Sequence, residues 1–441
     1  MRLSPSRSLA AVLTGAVLAL SACAGDGSGD AAGDVRADLE RPTAVGATTG
    51  TEPSPESGPG TGPGTGPGTG AETTTEPTAA EVLPGTTLQR SPRWKAATKR
   101  IALAAQVEKV ARKAAAQNPL AGREWGVYRG PADQSWAPYA ASSGPNRALL
   151  AKISERPKAQ WFGAWIPDDQ IAAKVDDYIA NAQEGDPTKL VQMSVFRMVP
   201  WEHEACGRLP SAAEQASYKR WIDSFAAAVG DTPAAIILQP DGPFALCVPG
   251  GSGIPSSLIA YSARVFADLE NTATYIDAGA ADWPAVGQGG VPQVLKFLIP
   301  AGIEDVRGIA LNSTHYTSTA DEIVRGAEIV EALAAQGIPD KHVVISTSSN
   351  GRPFVFGDAP GSDPDHATVC SSPTQQACVT LGIPPTTDVA NAAWGFSEQV
   401  NALAREHVDG FVWFGRPWLY RQNSPFQLDR ALALARTTPY S

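Results

Sequence analysis

The run PAAIILQPDGPFALC (Pro233–Cys247) carries an apolar core, Ile236-Ile237-Leu238, that stops at Gln239-Pro240 and is followed at once by a carboxylate, Asp241. The core is short, rich in β-branched residues and shows no polar alternation, as expected of a strand covered on both faces. Comparable runs recur along the chain, and helical patterns separate them. Residues 160–165 (QWFGAW) precede a helix at 168–183. Residues 190–198 (LVQMSVFRM) precede one at 212–229, and 234–241 precede one at 256–269. Residues 273–279 (ATYIDAG) precede 291–299, and 307–312 (RGIALN) precede 320–336. Residues 342–348 (HVVISTS) lead through a long loop to a helix near 395–406; 409–416 (DGFVWFGR) come last, before a tail helix near 427–436. This alternation predicts an α/β fold, a distorted seven-stranded parallel (β/α) barrel preceded by a disordered linker. An open doubly wound sheet lacks the Gly-x-Gly-x-x-Gly turn that would support it.

The first residues read as an export signal. Arg2 and Arg7 form a positive region before the apolar stretch Leu9–Leu20, which runs into LSAC, a segment that resembles a bacterial lipobox. Residues 1–22 are expected to be a lipoprotein-type signal peptide, with Cys23 lipidated. The chain would then sit on the extracellular face of a bacterial cell membrane, or be secreted. Residues 23–92, with the repeat GPGTGPGTGPGTG, cannot bury enough apolar surface to fold and read as a disordered linker. Residues 93–117 read as a basic lead-in helix and 118–441 as the folded domain. A formal net charge of -10 argues against a nucleic-acid partner, and a monomer is expected. Cys206, Cys247, Cys370 and Cys378 form an even set in an exported chain and imply two disulfides, with three pairings open.

In barrels of this kind the site lies at the C-terminal ends of the strands. Asp241, Asp277, Asn312, Ser346 and Arg416 fall at such ends. No metal, phosphate or serine-hydrolase motif is present, so neither a metal nor a cofactor is expected. WEHEAC (residues 201–206) offers two Glu and one His, too few ligands for a metal. Carboxylates in a chain with 11 Trp are the equipment of a glycosidase: one acid protonates the leaving oxygen, and a second carboxylate activates water. Trp faces match the apolar faces of sugars.

These stretches resemble glycoside hydrolase family 6, the cellulases that comprise endoglucanases and inverting cellobiohydrolases. NPLAG (residues 118–122) is similar to the family's opening segment. IILQPD resembles its hydrophobic run ending Glu-Pro-Asp, with Gln239 in place of Glu. YIDAGAADW is similar to YLDAGHAGW, with Ala280 in place of His. GIALNSTHY resembles the strand that bears a substrate-binding Asn, and VWFGRPW the last strand. The resemblance implies a β-1,4-glucan or related polysaccharide as partner and Asp241 as proton donor. It implies that Asp277 stabilises positive charge or holds a water or sugar hydroxyl. Trp161, Trp283, Asn312 and Arg416 would position the glycan. It also implies pairing of Cys206 with Cys247, and with it Cys370 with Cys378. The chain departs from the family at Phe196, which replaces a Tyr, and at Ala205, which replaces a catalytic Asp; Glu202 or Glu204 would supply that carboxylate. The acidic stretch after the last strand is replaced by Trp418-Leu419-Tyr420.

Overall fold

The structure, a computed structural model, describes residues 118–358 and 363–440. The expected signal peptide, Cys23 anchor, linker and lead-in helix lie outside the described residues. Seven parallel strands make one sheet in chain order: β1 (Gln160–Gly163), β2 (Val191–Phe196), β3 (Ala234–Leu238), β4 (Thr272–Asp277), β5 (Gly308–Leu311), β6 (His342–Ser346) and β7 (Val408–Val412). Nine helices accompany them among the described residues: α1 (Trp136–Ala141), α2 (Gly144–Ser154), α3 (Ile171–Gln183), α4 (Ala212–Val229), α5 (Gly253–Ala267), α6 (Gly290–Leu298), α7 (Thr319–Ala335), α8 (Glu398–His407) and α9 (Leu428–Thr437).

The sheet curls into a distorted barrel around an inner cluster that mixes small side chains with Tyr275 and Phe414. In register, Ser194 lies beside Ile237, Ile237 beside Tyr275, and Tyr275 beside Gly308. A Cβ on residue 308 would lie 1.8 Å from the His342 carbonyl oxygen, so only glycine permits the β5–β6 approach. The inner cluster includes Ala235, Ile237, Ala273, Ala310, Val344 and Val412. The alternate residues, such as Ile236, Leu238, Ile276 and Ile345, pack outward with α3 to α7 in the main core. β1 and β7 share no ladder. The seam between them is closed by two hydrogen bonds: Ala159 N–H donates to the Trp413 carbonyl at 2.8 Å, and the Trp161 indole N–H donates to the Phe414 carbonyl at 2.8 Å.

The segment NPLAG stoppers the opposite end. Leu120 is fully buried in the inner cluster, and Asn118 Nδ2 donates to the Asp409 carbonyl at 2.6 Å. Beside it Asp409, 1% exposed, accepts a bidentate pair from Arg307 at 2.8 and 3.0 Å and the Tyr275 hydroxyl at 2.7 Å.

The helix predicted from Asp168 starts at Ile171. Asp168 instead accepts bonds from Arg197, Ser217 and Arg220, which tie the β1–α3 loop to α4. Helix α4 spans its predicted range and opens with a Ser211–Glu214 capping box. Helices α1 and α2 have no counterpart in the sequence reading. The first is one and a half turns long, and the second begins Gly144-Pro145, a pair that reads as a turn although Pro is tolerated in a first helical turn. Both expected disulfides are present, Cys206–Cys247 and Cys370–Cys378.

Replacing Arg307 by Leu strands a buried carboxylate. We expect Arg307→Leu to lose about 3–5 kcal/mol of unfolding free energy in a urea titration. A loss below about 1 kcal/mol would show that the Arg307–Asp409 pair is not what holds this end of the barrel.

Candidate active site

Strand β3 ends by leaving extended geometry. Gln239 and Asp241 have φ of 54° and 59°, a region non-glycine residues rarely occupy, with Pro240 between them. Glu202 (52°) and Asn312 (68°) share this geometry at the neighbouring strand ends. Strain gathered on one rim is typical of sites that must aim side chains rather than pack them. Gln239 supports the turn, because its Oε1 accepts the Met198 N–H at 3.2 Å and so links the ends of β2 and β3.

Asp241 is 4% exposed and opens onto a cavity of about 500 Å³. Trp161, Trp165, Trp201 and Phe196 form its aromatic wall; Glu202, Glu204 and Asp365 add carboxylates; Arg416 and Arg421 add cations. Trp201 is held by its indole N–H, which donates to the Pro240 carbonyl at 3.1 Å. Such a mixture of flat apolar faces and scattered polar groups suits a polyhydroxylated ring.

One dipeptide after β5 holds two carboxyls. Thr314 Oγ1 donates to Asp241 Oδ1 at 2.8 Å, and the Ser313 hydroxyl donates to Asp277. Asp277 is fully buried behind Asp241 and accepts the Gly279 N–H at 3.0 Å. Burial, and then the charge of Asp241, push its pKa up to about 8, against the Ser313 bond. Asp277 is therefore neutral at pH 7. Of the two roles expected of it, stabilising positive charge requires the ionised form, which the raised pKa disfavours, while holding a water or sugar hydroxyl does not. Gly242 is required beside it: a Cβ there would meet the Asp277 carbonyl oxygen at 2.1 Å.

Arg416 lies 4.0 Å from the Trp161 ring centroid, a cation–π stack. Burial alone pulls its pKa down to about 9, and it remains a cation at neutral pH. Its backbone N–H donates to Gln422 Oε1 at 3.0 Å, and Gln422 Nε2 donates to the Thr314 carbonyl at 2.9 Å. The tail of β7 is thus linked to the Asp241 clamp. This linkage was not legible in the sequence, because Gln422 lies in a polar stretch with no pattern.

Two predicted glycan contacts are placed elsewhere. Trp283 is 3% exposed, packed on Phe244 (5.1 Å) and stacked with His315 (5.7 Å). Phe356 covers His315 at 4.5 Å. Asp282 pins this stack, accepting from Phe356 N–H at 2.8 Å and pairing with His315 Nδ1 at 2.7 Å. Asn312 is fully buried, with Nδ2 donating to the Ser346 carbonyl at 3.0 Å. Neither side chain lines the cavity onto which Asp241 opens; both contribute to the barrel mouth. Ala205 is 1% exposed, so the position of the family's Asp is packed inward. Glu204 is exposed and bound to Arg208 at 2.9 Å; Glu202 stands in the cavity wall.

The family model for glycosyl hydrolases family 6 matches residues 127–414. The chain belongs to that family. Among its curated relatives, Endoglucanase A of Cellulomonas fimi is 32% identical over 228 residues, covering 52% of this chain and 47% of that protein. Endoglucanase 1 of Streptomyces halstedii is 28% identical over 220 residues, covering 49% of this chain and 66% of that protein. The chain therefore spans from about half to two thirds of these relatives' lengths. The solved family 6 endoglucanase Cel6 of Mycobacterium tuberculosis, in complex with a thio-linked cellobioside, is 25% identical with a TM-score of 0.57. That match covers 73% of this chain and 99% of that one. No described helix of this family 6 protein is long and apolar enough to cross a membrane.

The buried carboxyls make a titration prediction. A carboxyl whose native pKa is raised binds more protons in the native state, so stability is full at acid pH and is lost as pH rises through the native value. Asp277 is raised by burial to about 8, and so is Glu322, a fully buried carboxyl of α7 that accepts the Ala281 N–H at 3.0 Å. We expect the melting temperature of the wild type to fall between about pH 4 and pH 8, and Asp277→Asn to flatten that slope. An identical slope in the variant would show that Asp277 is ionised throughout.

Proposed function

We propose that this family 6 protein is a secreted or surface-anchored glycosidase that cleaves a β-1,4-glucan by an inverting, acid-assisted mechanism. The observation that carries the reading is Asp241 at the floor of a Trp-walled cavity, with the fully buried Asp277 carboxyl behind it. Like charges so close do not both ionise, so the pair carries one proton and one charge at neutral pH. The one proton the pair shares is delivered through Asp241 to the glycosidic oxygen as the C1–O bond breaks. Water adds to C1 from the opposite face of the ring and loses its own proton to a carboxylate. Both Glu202 and Glu204 line the cavity, and Glu202 is the better placed candidate for that base because it is half-buried in the wall, whereas Glu204 is exposed at the rim. Trp161 and Arg416 hold the sugar on one side of the acid. The LSAC segment at Cys23 and the two disulfides support export and, with lipidation, an anchor on the outer face of the membrane.

The buried Ala205 favours one other reading, a glycan-binding lipoprotein whose catalysis is impaired. Reducing-sugar release from cellulose and mixed-linkage β-glucan separates the two. Turnover is expected in the wild type. Asp241→Asn is expected to lower kcat by about a hundredfold or more, and Glu202→Gln by a similar factor. Glu204→Gln should change kcat by less than about threefold. Calorimetric binding of cello-oligosaccharides without turnover would establish the impaired reading instead. Unaltered kcat in Asp241→Asn would remove Asp241 from the role of acid.

A further inference from the structure

The two cations on the wall of the Asp241 cavity differ in kind. Arg421 is exposed and paired with Asp363 at 2.8 Å. Arg416 has no such partner. Among the described residues no carboxylate pairs with its guanidinium, its side chain donates no hydrogen bond, and its Nε is buried. Burial lowers the pKa of two other arginines, and both have acceptors: Arg325 donates to the Pro284 carbonyl at 2.8 Å, and Arg430 to the Pro417 and Ala367 carbonyls at 2.6 and 2.9 Å. Arg416 meets only the face of Trp161. A guanidinium withdrawn from water without an acceptor is unfavourable, so the arrangement makes sense when a ligand supplies one.

The pose is set by the fold. Trp161 is held by its bond to the Phe414 carbonyl, and its ring lies 4.0 Å from the guanidinium. The chain before Arg416 is equally fixed: Gly415 N–H donates to Ser346 Oγ at 3.1 Å, and a Cβ on residue 415 would lie 2.8 Å from the Ser313 carbonyl oxygen. A guanidinium stacked on a ring turns its N–H edge outward, the geometry that grips a carboxylate through two parallel bonds. Acids of the cavity are engaged elsewhere, Asp241 by Thr314 and Glu204 by Arg208.

We propose that Arg416 is a carboxylate-binding residue and that the preferred substrate is an acidic β-1,4-linked glycan, with a uronic acid in a unit bound beside Asp241. The C5 carboxylate and the glycosidic oxygen occupy different edges of a pyranose. One ring can therefore present the first to Arg416 and the second to Asp241. The proposal rests on the glycosidase reading above and narrows its substrate class.

The test uses the full chain with Asp241→Asn, so that ligands survive, and isothermal calorimetry with a neutral and an acidic ligand. The neutral one is cellotetraose. The acidic one is cellotetraose oxidised at a single C6 to a glucuronate and purified by anion exchange. The acidic tetramer should bind about tenfold more tightly, as expected of one charge-assisted pair. That preference should shrink as salt is raised, because it is ionic. Added Arg416→Gln should bring the two affinities within about twofold of each other, whereas Arg416→Lys, which keeps the charge, should retain a severalfold preference. Circular dichroism confirms that each variant is folded. Equal affinities in the Asp241→Asn parent, a preference for the neutral tetramer, or an acidic preference that survives Arg416→Gln overturns the carboxylate site and leaves the glycosidase reading intact. Absence of binding by either tetramer to the parent, with no turnover by the wild type, overturns both.

Discussion

A carboxyl buried without a cation must keep its proton, and that constraint organises the mouth of this barrel. Among the described residues no Lys or Arg pairs with Asp277. Its support consists of the Ser313 hydroxyl and nearby backbone N–H groups, with the Asp241 charge opposing its ionisation. Dense backbone packing keeps water from reaching it, as the absence of space for a Cβ at Gly242 illustrates. The cleft above is therefore acidic in the chemical sense near neutral pH, and this follows from burial rather than from any special residue type.

Strand register turns that local fact into a site. The parallel ladder places Leu238 beside Ile276, so the next residues of β3 and β4 emerge together at the rim. The left-handed turns at Gln239 and Asp241 then swing the third-strand carboxyl over the fourth-strand one. Ser313 and Thr314 grip both from β5, and Gln422 carries the contact on to the segment after β7. The two ends of an unclosed sheet are thereby coupled at the point where chemistry is concentrated, while Trp161 both seals the seam and faces the cavity.

Strand positions and their order were legible because each is a short unbroken apolar run. Asp241 was legible as the first charge after one. Placement of Trp283 and Asn312 was not, because it depends on contacts distant in sequence: Phe356 arrives from the loop after β6 to cap the His315 stack, and Ser346 captures the Asn312 amide. A linear reading sees an aromatic near an acid and does not see what covers it. The Arg416–Trp161 stack was hidden for the same reason, since its partners lie at opposite ends of the fold. Leu120, read only as part of the opening segment, proves to fill the barrel floor, where apolar shape matters more than pattern.

The Cys206–Cys247 bridge joins the short turn bearing Glu202 and Glu204 to the short turn that Asp241 initiates. Two loops that present acids to the same space are thus fastened by a covalent bond in addition to the Trp201–Pro240 hydrogen bond and their shared core packing. Reduction in a thiol-rich milieu would remove the covalent tether between the two arms and leave only the non-covalent contacts to hold them together. The molecule carries, in one sulfur–sulfur link, a chemical record of the compartment for which it is suited.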